Sequence, residues 1–295
     1  MSEFNHAKTM VITEFLAYLR LLSRRLKMSQ LITISRQLVH FGPWRNIALR
    51  LLPRSLPPAG VQGAVSLLPK HNSSEVVSSL RQDGLFILGE LPHNFISKLR
   101  LTTDKLPLKE YKLVHQVSDE IRQLSRDPNL LSLLHDYFNR TPQLIEASLF
   151  VTGPESHLPD HSQNSFHFDY AGWESLNVFV YLTDVTLESS YHVYVKGSAK
   201  QISWWDVLRQ IVPKTEVYSR FNADVTPILG KAGTIFIENA EGFHRRNKGA
   251  ERRVLLNLLY TSHRNVLSYG RSNRKGLRAR DRIFKEITSQ QSNTL

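Results

Sequence analysis

From residue 143 onward the sequence is a succession of short strand patterns, and this succession constrains the fold more than any other feature. Segments 144–152, 176–182, 192–195, 234–237 and 254–261 are rich in β-branched and aromatic residues and are bounded by Gly, Pro, Asp or Ser. Upstream the spacing is helical. Asn72-Ser73-Ser74-Glu75 supplies N-caps for a helix that stops at Gly84, and a short strand follows over 85–88. Helices are predicted over 92–106 and 119–138, the second interrupted at Pro128. Helices first and many short strands afterwards predict an α+β protein, a jelly-roll-like barrel or sandwich with helices packed outside.

Charge divides the chain into three parts. The net charge is +12, but residues 1–60 carry +7 and residues 261–295 carry +6, which leaves the middle at −1. The expected organisation is a basic helical extension over 1–72, a core domain over 73–262, and a basic tail over 263–295 that is loose beyond about residue 285. The balanced core, with no basic–aromatic patch bracketing its motifs, argues against a nucleic-acid partner. Cysteine is absent, which excludes a disulfide scaffold, an iron–sulfur cluster and a thiol nucleophile and suits a cytoplasmic setting.

No run of about 18 apolar residues exists, so no membrane span is expected. Arg24, Arg25 and Lys27 follow the apolar stretch 11–22 instead of preceding it, against a secretory signal. Phe15, Leu16, Leu19, Leu22 and Leu26 recur at helical spacing. That stripe suits a helix packed on the core or, alternatively, one lying on an anionic membrane surface, with peripheral contact through residues 1–60.

The chemistry concentrates in Ser165-Phe166-His167-Phe168-Asp169-Tyr170. On an extended segment His167 and Asp169 project to one side and can occupy adjacent positions of one metal ion. His244, between strand patterns 234–237 and 254–261, is the candidate third ligand. Two imidazoles and a carboxylate form the facial triad of non-haem Fe(II) oxygenases, which leaves positions open for substrate and O₂. Arg253, at the mouth of the last strand, is a natural bidentate partner for a carboxylate ligand, while Arg245, Arg246 and Arg252 nearby suit solvated charges. Asn164 and Trp173 flank the motif and are candidate substrate contacts.

At these residues the sequence resembles the phytanoyl-CoA dioxygenase-like branch of the Fe(II)/2-oxoglutarate-dependent oxygenases. The resemblance covers about residues 76–262. It rests on Asp83-Gly84 before a strand, on Phe166 to Tyr170, and on Tyr181-Leu182-Thr183-Asp184-Val185-Thr186. Gly197-Ser198, Ala232-Gly233-Thr234, His244 with Asn247 behind it, and Arg253 seven before Tyr260 complete it. It implies a double-stranded β-helix (jelly-roll or cupin-like) core with flanking helices. It also implies Fe(II) held by His167, Asp169 and His244, and 2-oxoglutarate anchored by Arg253, with Arg252 as the alternative anchor. The implied reaction uses O₂ to hydroxylate an unactivated C–H bond of a small or lipid-like metabolite, releasing succinate and CO₂. An acid at position 169, where a halogenase carries Ala or Gly, favours hydroxylation. The competing class is a non-catalytic metal-binding or interaction protein held at an anionic membrane surface by its basic N-terminal region.

Overall fold

The computed structural model describes residues 28–55, 65–154, 162–265, 267 and 279–292. The stripe from Phe15 to Leu26 lies outside these residues. The chain begins with helices α1 (Met28–His40), α2 (Pro43–Leu51) and α3 (Ser73–Gln82), then β1 (Leu85–Glu90), α4 (His93–Thr103) and β2 (Glu110–Lys112). Helices α5 (Asp119–Ser125) and α6 (Pro128–Phe138) lead into β3 (Gln143–Thr152), β4 (Phe166–His167), β5 (Ser175–Tyr181) and β6 (His192–Val195). Next come α7 (Trp204–Arg209), β7 (Ile211–Val212), α8 (Lys214–Phe221), β8 (Val225–Ile228), β9 (Thr234–Asn239), β10 (His244–Arg246), β11 (Arg253–Thr261) and α9 (Ala279–Ser292).

Local chemistry sets the helix ends. The Asn72 side chain accepts from the Ser74 N–H to start α3, and Asp127 accepts from the Asn129 and Leu130 N–H groups with Pro128 at the first helical position. Asp127 thereby splits the 119–138 helix in two, at the proline that the sequence marks.

The strands form two antiparallel sheets, one of six strands ordered β1-β9-β5-β11-β3-β2 and one of five ordered β7-β4-β10-β6-β8. Period-two alternation sorts their side chains into three layers. Leu176, Val178 and Val180 of β5 and Val254, Leu256 and Leu258 of β11 face outward onto α3 to α6. Phe179 and Tyr181 of the large sheet meet Tyr194 and Ile228 of the small one, so the two sheets stack face to face. Phe166, Val193 and Val195 point to the far side of the small sheet, against Val207, Val217 and Phe221. Each fully buried Leu, Val or Phe in these layers contributes about 1.5–3 kcal/mol.

The described parts of both basic ends meet the core. Arg140 donates to the Leu49 and Leu52 carbonyls beside α2. The tail expected to be loose beyond residue 285 is instead helical in α9, where Phe284 is buried against Tyr111. Its apolar residues are few, but Ile283, Phe284 and Ile287 share the side that meets the core. Strands β2, β7, β8 and β10 were not foreseen, because none of these two- to four-residue segments shows a readable alternation in sequence. No helix among the described residues is long and apolar enough to cross a membrane.

Candidate metal centre

Strands β4 and β10 are neighbours, and their register sets His244 directly opposite His167, with ring centroids 4.4 Å apart. Asp169 follows His167 by two residues, and its N–H donates to the Ala240 carbonyl (2.8 Å) in the turn that leads to β10. A ligand atom from each of His167, Asp169 and His244 therefore lies within 4.8 Å of the others. His244 Nε2 is 3.6 Å from Asp169 Oδ2.

Ring orientation is fixed from behind. His167 Nδ1 lies 2.9 Å from the Ser165 carbonyl oxygen, and His244 Nδ1 lies 3.0 Å from that of Gly242. Only a protonated Nδ1 can donate to a carbonyl, so Nε2 is the atom each ring turns toward the common point and offers to a metal once it carries no proton. The turn needs glycine at 242, where a Cβ would collide with the Tyr194 hydroxyl. Burial, reinforced by the His244 charge, pushes His167 down to about 4, which keeps it neutral. Burial also works against protonation of His244, yet the Glu238 and Asp169 carboxylates outweigh it and hold this histidine at about 9. The potential at that nitrogen thus favours a cation. Two imidazole nitrogens and one carboxylate, without sulfur, fit a non-haem Fe(II) ion.

Behind His244 lies a charged group that the sequence reading missed. Glu238 of β9 is fully buried, accepts from Asn177 Nδ2, and pairs with His192 Nε2 at 2.7 Å. Burial opposes its ionisation, but the His192 and His244 charges hold it below the usual carboxylate range. The His192 ring stacks on His244 at 5.6 Å. The available signal was a single acid in the strand pattern Thr-Ile-Phe-Ile-Glu-Asn, on the same alternating face as Phe236.

His167, Asp169, His192 and His244 line a cavity of about 300 Å³ between the sheets, with Glu238 behind its wall. Arg253 enters it from β11, on the inward face shared with Leu255 and Asn257, and is only 2 % exposed. Its charge acts on both His192 and Tyr181. Arg252 alternates to the other side and donates to the Thr103 and Leu106 carbonyls, which removes it as the alternative anchor.

Several flanking residues sit differently from the sequence expectation. Arg245 and Arg246 are not solvated surface charges: both line the cavity, and the Arg245 guanidinium lies 5.1 Å over the Phe166 ring. Asn164 does not line the cavity; it accepts from Arg246 Nη2 (3.3 Å), and its neighbour Gln163 takes the wall position. Trp173 is outside the lining as well, because its ring packs edge-on against His40 of α1 (5.1 Å).

Arg45 of α2 braces the two ligand-bearing turns. Its Nε donates to the Trp173 carbonyl (2.6 Å), four residues past Asp169, and its Nη2 to Glu241 Oε1 (2.7 Å), three residues before His244. Burial pushes Glu241 up to about 7 against the pull of Arg45.

No family model and no curated protein matches the sequence. Solved structures do resemble the fold. HygX from Streptomyces hygroscopicus, without metal, superposes with a TM-score of 0.51 at 18% identity, over 70% of this chain and 95% of its own. SnoK, a non-heme alpha ketoglutarate dependent carbocyclase from nogalamycin biosynthesis, gives 0.50 at 15%, over 67% and 87%. EctD from S. alaskensis, solved with 2-oxoglutarate and 5-hydroxyectoine, gives 0.50 at 16%, over 71% and 82%. At such identity the likeness is one of fold: mixed helices and antiparallel sheets of the kind seen in non-heme iron, 2-oxoglutarate-dependent enzymes.

Proposed function

We propose that the chain is an Fe(II)- and 2-oxoglutarate-dependent oxygenase that hydroxylates an unactivated C–H bond of a small or lipid-like metabolite. In this reading the two stacked sheets are a double-stranded β-helix of the phytanoyl-CoA dioxygenase-like kind. The observation that carries it is the cluster of His167, Asp169 and His244 on one wall of a cavity whose other wall presents the buried Arg253. Support comes from HygX, which has also been solved with iron and with nickel and 2-oxoglutarate, and from the 2-oxoglutarate in EctD.

His167 Nε2, His244 Nε2 and an Asp169 oxygen would hold the iron. When bound, iron and 2-oxoglutarate supply an oxidant, made from O₂, that exchanges a C–H bond for C–OH as succinate and CO₂ leave. The chain's own residues do the positioning. Ser165 and Gly242 carbonyls fix the imidazole tautomers. Arg253 would clamp the distal carboxylate of 2-oxoglutarate through a guanidinium fork. Glu238 keeps His192 oriented beside His244 by its 2.7 Å hydrogen bond. Phe150, Phe179 and Leu255 give the cavity a partly apolar wall against which an apolar part of the substrate would pack.

The test is oxygen-dependent conversion of 2-oxoglutarate to succinate by the protein loaded with Fe(II). Turnover is expected in the parent and lost in His167→Ala and His244→Ala; undiminished turnover in either variant refutes the metal assignment.

A further inference from the structure

Helix α2 presents its apolar stripe to solvent. Trp44, Ile47 and Leu51 follow one another at three- and four-residue spacing along one face, and all are exposed, Leu51 to 79 %. An amphipathic helix ordinarily turns such a stripe inward, and no residue of α2 is fully buried. The stripe continues across the surface. Trp44 lies 5.7 Å from the Trp204 ring, which is half exposed, and Trp205 beside it is 59 % exposed. Trp44 and Trp204 thus share one exposed patch, and Trp205 is exposed at the next position of the chain.

We propose that this patch docks the protein onto an anionic lipid bilayer. Charge complementarity selects that occupant. Residues 28–55 contain four arginines and no Asp or Glu, and residues 1–60 together carry +7. Arg50 and Arg54, one residue before and three after Leu51 in sequence, are both exposed, so the end of the apolar stripe carries cationic side chains suited to anionic headgroups. Tryptophan is the side chain that favours the membrane–water boundary. Trp44 already donates its indole N–H to the Val39 carbonyl (2.8 Å), so its ring can enter the acyl region without burying an unmatched donor. A second copy fits less well: a twofold contact through this patch would set Arg50 and Arg54 against their own images. The proposal stands apart from the metal chemistry and needs no turnover to test.

The full chain is mixed with vesicles of phosphatidylcholine, with or without phosphatidylglycerol, and partitioning is read by sedimentation. Tryptophan fluorescence is read with bromine-labelled acyl chains, which quench rings that reach the acyl region. Binding to phosphatidylglycerol vesicles that weakens with salt, together with quenching, is expected. Trp44→Ser combined with Ile47→Ser and Leu51→Ser should lower partitioning at least about tenfold. Arg50→Glu with Arg54→Glu should remove the preference for anionic lipid. All these positions are exposed, and an unchanged circular dichroism spectrum checks the fold. Absence of vesicle binding overturns the proposal, as does binding that the triple variant leaves intact. Concentration-dependent dimers abolished by the same substitutions would assign the patch to a second copy instead.

Discussion

Replacing Arg45 with methionine should destabilise the fold by about 3 kcal/mol near pH 8 and about 1 kcal/mol near pH 6. The figures follow from what Arg45 holds. Its partner Glu241 is 2 % exposed, and removing one member of a buried pair costs about 3–5 kcal/mol; the Arg45 side chain is 24 % exposed, which selects the lower end. The pH dependence follows from Glu241. Its folded pKa of about 7 exceeds the ordinary 4.5, so folding takes up a proton between those values and stability falls as pH rises through that window. Loss of Arg45 removes the charge that pulls this pKa down and extends the window upward. Near pH 6 the carboxyl is mostly protonated already, and the variant loses little beyond the hydrogen bond to the Trp173 carbonyl. Urea melts at the two pH values measure both losses, with an unchanged slope to confirm that the transitions are comparable. Combining Arg45→Met with Glu241→Gln should recover much of the loss at the higher pH. Equal losses at both pH values, or a double variant as unstable as the sum of the singles, would refute the reasoning.

Two further outcomes are expected. Arg253→Met should raise the KM for 2-oxoglutarate by about a hundredfold or more, whereas Arg252→Met, on the opposite face of the same segment, should leave it within about threefold; initial rates across cosubstrate concentration make the comparison. Phe284→Ala should destabilise the protein by about 3–5 kcal/mol, read as a lower urea midpoint, because the ring is 1 % exposed and packs on Tyr111.

Much of the centre was legible because alternation of period two is written into the sequence. His167 and Asp169 straddle Phe168, and that spacing alone puts the two polar groups on one face and the ring on the other. The same rule distinguishes Arg253 from Arg252 once the strand is known to start at Arg253. What stayed hidden depended on pairing between distant segments. Glu238 and His192 meet only because β9 lies in the large sheet and β6 in the small one, and no local pattern encodes that stacking. Arg245 and Arg246 resembled surface charges because nothing nearby in sequence reveals that β10 lies between β4 and β6 in the interior of the small sheet. The closing helix was missed because Ile283, Phe284 and Ile287 are set among five charged residues.

Helix α2 has two faces with different tasks. Trp44, Ile47 and Leu51 look outward, while Arg45 reaches inward to the turns that carry Asp169 and His244. Any occupant of the outer face that tilts or shifts these nine residues must strain or relax both turns at once. Thermodynamic reciprocity then fixes the sign and the size of the return effect: whatever factor such an occupant applies to the affinity for the ion, the ion applies to the affinity for the occupant.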